Sequence, residues 1–176
     1  MKEFAICIPS KRKPPFKTLE NFQVPEGFEV FIISDPAFLA EHHEYYGKEK
    51  GIHVLKGGEG IGQQMWNTYL VAADAGFDHF VRLDDDLDVN TFVAVKAGSN
   101  RKVKYLSLEE AMYHLLTALR MTETTLVGFS NTSRLDWLGN GYKRTYGLIH
   151  SGACLSVSSN TPQLFMDRTL TKWGDV

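Results

Sequence analysis

Short, continuously apolar runs alternate along this chain with amphipathic or polar stretches. Residues 3–9 hold the first run, Phe4-Ala5-Ile6-Cys7-Ile8, closed by Pro9-Ser10. Five apolar residues with no polar alternation predict a strand buried on both faces. Residues 28–34 repeat the pattern with Phe, Val and Ile; 52–55 give a shorter version and 77–83 a fourth. Between the first two runs, Lys11-Arg12-Lys13-Pro14-Pro15 predicts a loop, because adjacent prolines remove backbone donors and restrict φ. After the second, Asp35-Pro36 predicts a helix start, with Asp35 as N-cap and Pro36 at the first helical position. After the third, Lys56-Gly57-Gly58-Glu59-Gly60-Ile61-Gly62 predicts a glycine-rich loop. It feeds a helix over 63–75, whose apolar positions Met65, Tyr69, Ala72 and Ala73 recur at helical spacing.

The second half is less regular. Residues 93–104 are basic (Lys96, Arg101, Lys102, Lys104) around a turn at Gly98-Ser99-Asn100, which suits a hairpin or a mobile loop. Ser107 with Glu110 three residues later forms a capping box, predicting a helix to about Met121. Residues 125–130 and 153–157 read as further strands. The β-α-β alternation predicts an α/β fold: three α/β/α layers around a mostly parallel, Rossmann-like sheet, in one domain over 1–176. The stop at Trp173-Gly174-Asp175-Val176, with no polar tail, reads as a domain cut short.

Composition narrows the class. A chain of 176 residues, 43% hydrophobic, suits one domain with a sizeable core. A net charge of -2 excludes a global pull toward nucleic acid or membrane, so such contact would need a local patch. Cys7 and Cys154 lie in apolar runs and read as buried free thiols, not a disulfide framework or a zinc site. No signal-like segment opens the chain and no apolar run reaches membrane-spanning length. The expectation is a cytoplasmic protein that makes no membrane contact.

The candidate chemistry starts at Asp84-Asp85-Asp86, directly after the fourth apolar run. Adjacent carboxylates at the end of a buried strand repel one another and need positive charge among them, for which a hard divalent cation is the usual candidate. At strand spacing Asp84 and Asp86 share a side, Asp85 turns toward the fold, and Asp88 belongs to the exit turn. A calcium loop of EF-hand type is excluded: Val89 stands at the glycine position and Val95 at the twelfth.

Ligands of parallel sheets sit beyond the strands' C-terminal ends. Three further segments fall there: Ser10 to Arg12, Asp35, and the loop holding Gly60 and Gly62. Arg12 faces a pyrophosphate or lies in a solvated basic loop with Lys11 and Lys13. Asp35 is a helix cap, a partner for a base or ribose, or both. Gly60 and Gly62 let a backbone approach a ligand or simply make a turn. His150-Ser151-Gly152 leaves room for a sugar or is a plain strand entrance. Trp173 beside Asp175 suits sugar binding, with Asp175 as an acceptor-activating base, or is a loose end.

The order Ile8-Pro9-Ser10-x-Arg12, Gly60-Ile61-Gly62 at a helix start, and an apolar strand running into Asp84-x-Asp86 resembles GT-A glycosyltransferases. It resembles in particular the phage and bacterial group associated with methylcytosine dioxygenases. That resemblance implies the GT-A version of the fold and transfer of a hexose from a nucleotide sugar, a UDP-sugar first, to a hydroxyl. The acceptor it implies is a hydroxymethylated pyrimidine in DNA, in a host cytoplasm if the source is viral. It implies that Asp86 and Asp84 bind Mn2+ or Mg2+, with Asp84 also reaching the ribose. Ser10, Arg12 and Asp35 would line the nucleoside pocket. The helix after Gly62 would approach the sugar, with Gln64 or Asn67 serving where relatives carry arginine. Asp175 would be the catalytic acid or base. Two other readings share the fold: a sugar-phosphate nucleotidyltransferase, which normally needs glycine in the loop after strand one, and a catalytically weak GT-A-like binding domain.

Overall fold

Phe4, Ile6 and Ile8 point to one side of the first strand and Ala5 and Cys7 to the other, and all five are buried. That strand is the centre of the molecule in the computed structural model, which describes residues 2–95, 103–122, 126–129 and 153–156. The elements run β1 (Lys2–Ser10), α1 (Lys17–Asn21), β2 (Glu29–Ser34), a 3-10 turn (Pro36–Phe38), α2 (Leu39–Tyr46), β3 (Ile52–Lys56), α3 (Ile61–Asp74) and β4 (Phe77–Arg82). They continue with β5 (Val93–Val95), β6 (Val103–Tyr105), α4 (Leu108–Thr122), β7 (Leu126–Gly128) and β8 (Ala153–Ser156).

The main sheet has the order β3-β2-β1-β4-β8-β7. The first four strands pair in parallel; β8 is antiparallel to β4 and β7 to β8. The fold is thus the expected mixed α/β class with a mostly parallel sheet. From β1 the chain adds β2 and β3 on one side, then returns to place β4 on the other, so the order reverses between β1 and β4. In a doubly wound sheet such a reversal opens a crevice at the strands' C-terminal ends.

Both faces are covered. On one, Phe4, Ile6, Ile8, Val30, Ile32 and Val81 pack with residues of α4 and with Phe16 and Tyr46. On the other, Ala5, Cys7, Phe31, Ile33 and Phe80 pack with Ala72 of α3. Leu108, Ala111, Met112, Leu115, Leu116 and Leu119 of α4 are all buried, at the spacing of one helical face. Its start is the expected capping box: Ser107 Oγ accepts from Glu110 N–H at 3.1 Å and Glu110 Oε2 accepts from Ser107 N–H at 3.1 Å. The Lys104 ammonium also bonds Glu110, and these contacts lower the Glu110 pKa.

Several boundaries shift for local reasons. Gly60 has a φ of 81° and is the N-cap of α3, so the helix begins at Ile61 rather than residue 63. Asp35 and Pro36 open a 3-10 turn that leads into α2, and Asp35 Oδ1 accepts from Ala37 N–H at 2.9 Å. Ala73 lies exposed, one position off the buried face marked by Ala72. Residues 93–95 and 103–105 form an antiparallel hairpin, Val93 opposite Tyr105. Residues 96–102, with Lys96, Arg101 and Lys102, lie outside the described residues, as do residues 150–152 and Asp175. Cys7 is a buried free thiol whose pKa burial pushes up. No described helix is long and apolar enough to cross a membrane.

Candidate functional site

Register brings the predicted segments to one edge. Ser10, Ser34 and Lys56 are aligned across β1, β2 and β3, and Cys7 pairs with Arg82 of β4. Continuing that register sets the residues after β4 opposite the end of β1. Leu83 N–H donates to Cys7 O at 2.9 Å, and Ser10 Oγ–H donates to Asp85 Oδ2. This bond crosses the point where the strand order reverses.

The acidic run has left the strand, and Asp85 and Asp86 lie in a turn. Strand alternation therefore does not set where Asp84 and Asp86 point; individual partners do. Asp85 is the inward one, its side chain 10% exposed. Burial raises its pKa, against the opposing pull of the Ser10 hydroxyl and the Arg12 guanidinium; the charges of Asp86 and Asp84 raise it further. Asp84 and Asp86 are more open, at 38% and 46%. Arg12 Nη1 lies 2.8 Å from Asp86 Oδ2, and its Nε 3.6 Å from Asp85 Oδ1. Arg82 Nη2 lies 3.6 Å from Asp84 Oδ1. Asp88, by contrast, pairs with Lys17 at 2.8 Å.

The positive charge this cluster requires comes first from the chain's own Arg12 and Arg82. Among the described residues no three His, Cys, Asp or Glu side chains are arranged to hold a metal ion. Asp84 and Asp86 do supply carboxylate oxygens, the donor type a magnesium-like ion takes. Such ions are commonly held by one or two carboxylates, with phosphate oxygens and water completing the shell, rather than by an all-protein cage. Manganese accepts the same oxygen donors.

The loop bearing these acids is tied down by residues that carried no sequence signal. Buried Thr18 donates from Oγ1 to Asp84 O at 2.6 Å and accepts there from Leu87 N–H at 2.9 Å. Thr18 N–H donates to Asp85 O at 3.2 Å. The Arg12 backbone is held at both ends. Its N–H donates to Ser10 Oγ at 3.1 Å, and its carbonyl accepts from Nε2 of buried His42 at 2.7 Å. A carbonyl cannot donate, so Nε2 carries the proton. Nδ1 of the same ring lies 2.7 Å from Ser34 Oγ.

Asp35 lies beside Ser10, its N–H donating to Ser10 O at 2.8 Å. Gln64 is buried, with its amide placed to donate to Ile33 O at 2.9 Å and to accept from Asp35 N–H at 3.2 Å. It therefore braces the end of β2 with both ends of its amide. Gly57 N–H donates to Ser34 O at 2.6 Å, and a Cβ at Gly57 would meet that oxygen at 2.8 Å, so only glycine allows this approach. Gly60 and Gly62 sit at the start of α3, and half-buried Asn67 lies farther along it. Ser10, Arg12, Asp35, Asp84 and Asp86 thus gather around the β1, β2 and β4 ends, with the glycine loop at the β3 end beyond β2.

Asp85 yields a pH prediction. A carboxyl whose pKa is raised by folding favours the native state in its protonated form. That contribution is present below about pH 4, the unfolded value, and is lost as pH rises through the folded value. Asp85→Asn keeps an acceptor for Ser10 but cannot ionise. Urea midpoints of wild type and variant, measured from pH 4 to 7, should show the wild type losing stability relative to the variant as pH rises. A constant difference would show that Asp85 is not perturbed by folding.

No family model matches the chain. No curated protein matches it in sequence. Among solved structures it is similar to S. aureus TarS 1–349, with TM-score 0.45 and 14% identity over 81% of this chain and 38% of that one. TarS 1–349 in complex with UDP-GlcNAc gives 0.41 and 13% over 74% and 36%. Its complex with UDP gives 0.40 and 13% over 74% and 37%. The chain spans well under half the length of those structures, and likeness at this level bears on neither chemistry nor ligand.

Proposed function

We propose that the chain is a cation-dependent glycosyltransferase that moves a hexose from a nucleotide sugar, a UDP-sugar first, to a hydroxyl acceptor. The observation that carries this reading is the meeting of Ser10 and Arg12 with Asp85 and Asp86 where the strand order reverses. That crevice is the general ligand position in such sheets, and its contents suit a nucleoside diphosphate. The motif order that resembles GT-A glycosyltransferases agrees with it.

On this reading Asp86 and Asp84 would hold Mn2+ or Mg2+. When bound, the cation offsets charge developing on the leaving diphosphate. Arg12 offers a forked donor to the diphosphate oxygens. Asp35 and Ser10 face the nucleoside, Gln64 keeps the Asp35 backbone in place, and the start of α3 from Gly60 to Gly62 approaches the diphosphate or sugar. Asn67 contacts the sugar. The bond from the anomeric carbon to the diphosphate breaks as one to the acceptor oxygen forms, and Asp175 takes the acceptor's proton. A hydroxymethylated pyrimidine in DNA as acceptor rests on the resemblance alone; Asp175 as base rests on that resemblance and on its place beside Trp173 in the sequence.

Incubation with a panel of nucleotide sugars and Mn2+, with hydroxymethylated DNA as one acceptor, tests the reading. Cation-dependent release of nucleoside diphosphate is the expected result. Pyrophosphate release from a nucleoside triphosphate and a sugar phosphate would assign nucleotidyl transfer instead. Binding of a nucleotide sugar without turnover of any kind would leave a binding domain and overturn the catalytic proposal.

A further inference from the structure

Arg12 combines a fixed backbone with an exposed, ion-paired side chain. Its N–H and carbonyl are held by Ser10 and His42, while its side chain is 61% exposed and rests on Asp86 and Asp85. Asp84 has a separate partner in Arg82. Arg12 is thus the group that covers Asp86, and the partly exposed carboxylate beneath it is the one placed to ligate a cation.

We infer that Arg12 is an exchangeable counterion, which neutralises Asp86 until a diphosphate draws it away and thereby couples cation binding to nucleotide binding. The inference rests on the function proposed above. An exposed ion pair is worth little, so the guanidinium leaves Asp86 readily for a better partner. A diphosphate is that partner, because it presents paired anionic oxygens to the guanidinium fork. A cation arriving alone must displace Arg12 and then sit beside its charge. Arriving with a diphosphate, it finds Asp86 uncovered and Arg12 neutralised. Such coupling is reciprocal, so each ligand tightens the other.

Mn2+ titration followed by the electron paramagnetic resonance signal of the free ion tests this without relying on turnover. Wild type, Arg12→Ala and Lys13→Ala are compared, first without nucleotide and then with UDP. Lys13 pairs with Glu41 at 3.4 Å and is the control for general charge removal. Arg12→Ala should bind Mn2+ alone about threefold more tightly, the size expected for loss of one exposed ion pair. Lys13→Ala should match wild type. UDP should tighten Mn2+ binding more in wild type than in Arg12→Ala. Unchanged or weaker Mn2+ binding by Arg12→Ala, or an equal gain in Lys13→Ala, overturns the inference. If wild type binds UDP with Mn2+ but Arg12→Ala binds Mn2+ alone no more tightly than wild type, the Arg12 inference alone fails. If wild type binds no nucleotide, the functional reading fails as well.

Discussion

Asp86→Ala is expected to lower cation-dependent turnover of a nucleotide sugar by about 100-fold or more while leaving the fold nearly as stable as wild type. The first half follows from what the carboxylate supplies. A cation at the leaving group contributes several kcal/mol of charge stabilisation, and each 1.36 kcal/mol is about tenfold in rate. The second half follows from exposure. The Asp86 side chain is 46% exposed and is paired with the Arg12 guanidinium. Loss of such a pair shifts stability by about 1 kcal/mol at most. Steady-state rates at saturating Mn2+, beside a thermal melt, separate the two effects. A large fall in Tm together with lost activity would make Asp86 structural. Unchanged activity would remove it from the reaction.

Phe16→Ala should produce the opposite pattern, a large loss of stability at a position that touches no ligand. Phe16 is 2% exposed and lies in the core that covers one face of the sheet. Its ring meets His42 edge-on at 4.9 Å and Tyr46 at 5.1 Å between centroids, and its N–H donates to Tyr46 Oη at 2.6 Å. Burial pushes the Tyr46 pKa up to about 12, with the Phe16 bond working against that rise. Removing a buried phenylalanine costs about 3–5 kcal/mol, which lowers the Tm of a chain this size by about 6–20 °C. Phe16 is also the N-cap residue of α1, two positions before Thr18. Its loss should therefore loosen the loop of Asp84 to Asp86, and bound UDP should recover part of the lost Tm. A variant that melts within about 1 °C of wild type would contradict this packing.

The sheet edge was legible in the sequence for a simple reason. The continuous apolar runs of β1 and β2 have no polar face, which implies burial on both sides and hence parallel neighbours. Parallel strands end at one edge, so the segments after them had to converge. Ser10, Asp35, the Gly60 loop and Asp84 follow from that rule alone. Strand order did not, because it depends on where the crossovers land. The bond from Ser10 to Asp85 joins positions 75 residues apart and could be seen only once β4 was placed against β1.

Local reasoning failed where tertiary partners decide the outcome. Asp84 and Asp86 were expected to share a side by strand period; the chain turns at Asp85, where Asp86 pairs with Arg12 and Asp84 with Arg82. The need for positive charge was correctly read, yet Arg12 and Arg82 meet it before any cation does. Gln64, read with Asn67 as an alternative ligand contact, also has its amide placed against Ile33 and Asp35, which the sequence did not reveal. Helix α1 has five residues and no repeating apolar face; Phe16 and Thr18 hold it through contacts with distant segments. His42 likewise stands alone in sequence and gains its role from the carbonyl of Arg12.

The central claim is that the edge between β1 and β4 binds a nucleoside diphosphate through a cation held by Asp84 and Asp86. Calorimetric titration of UDP into wild type and Asp86→Ala, each with Mn2+ and with chelator, tests it most directly. The account predicts that Mn2+ tightens UDP binding to wild type by at least about tenfold, a coupling of about 1.4 kcal/mol, and that Asp86→Ala loses this gain. UDP binding to wild type that is absent, or equal with and without Mn2+, would contradict it.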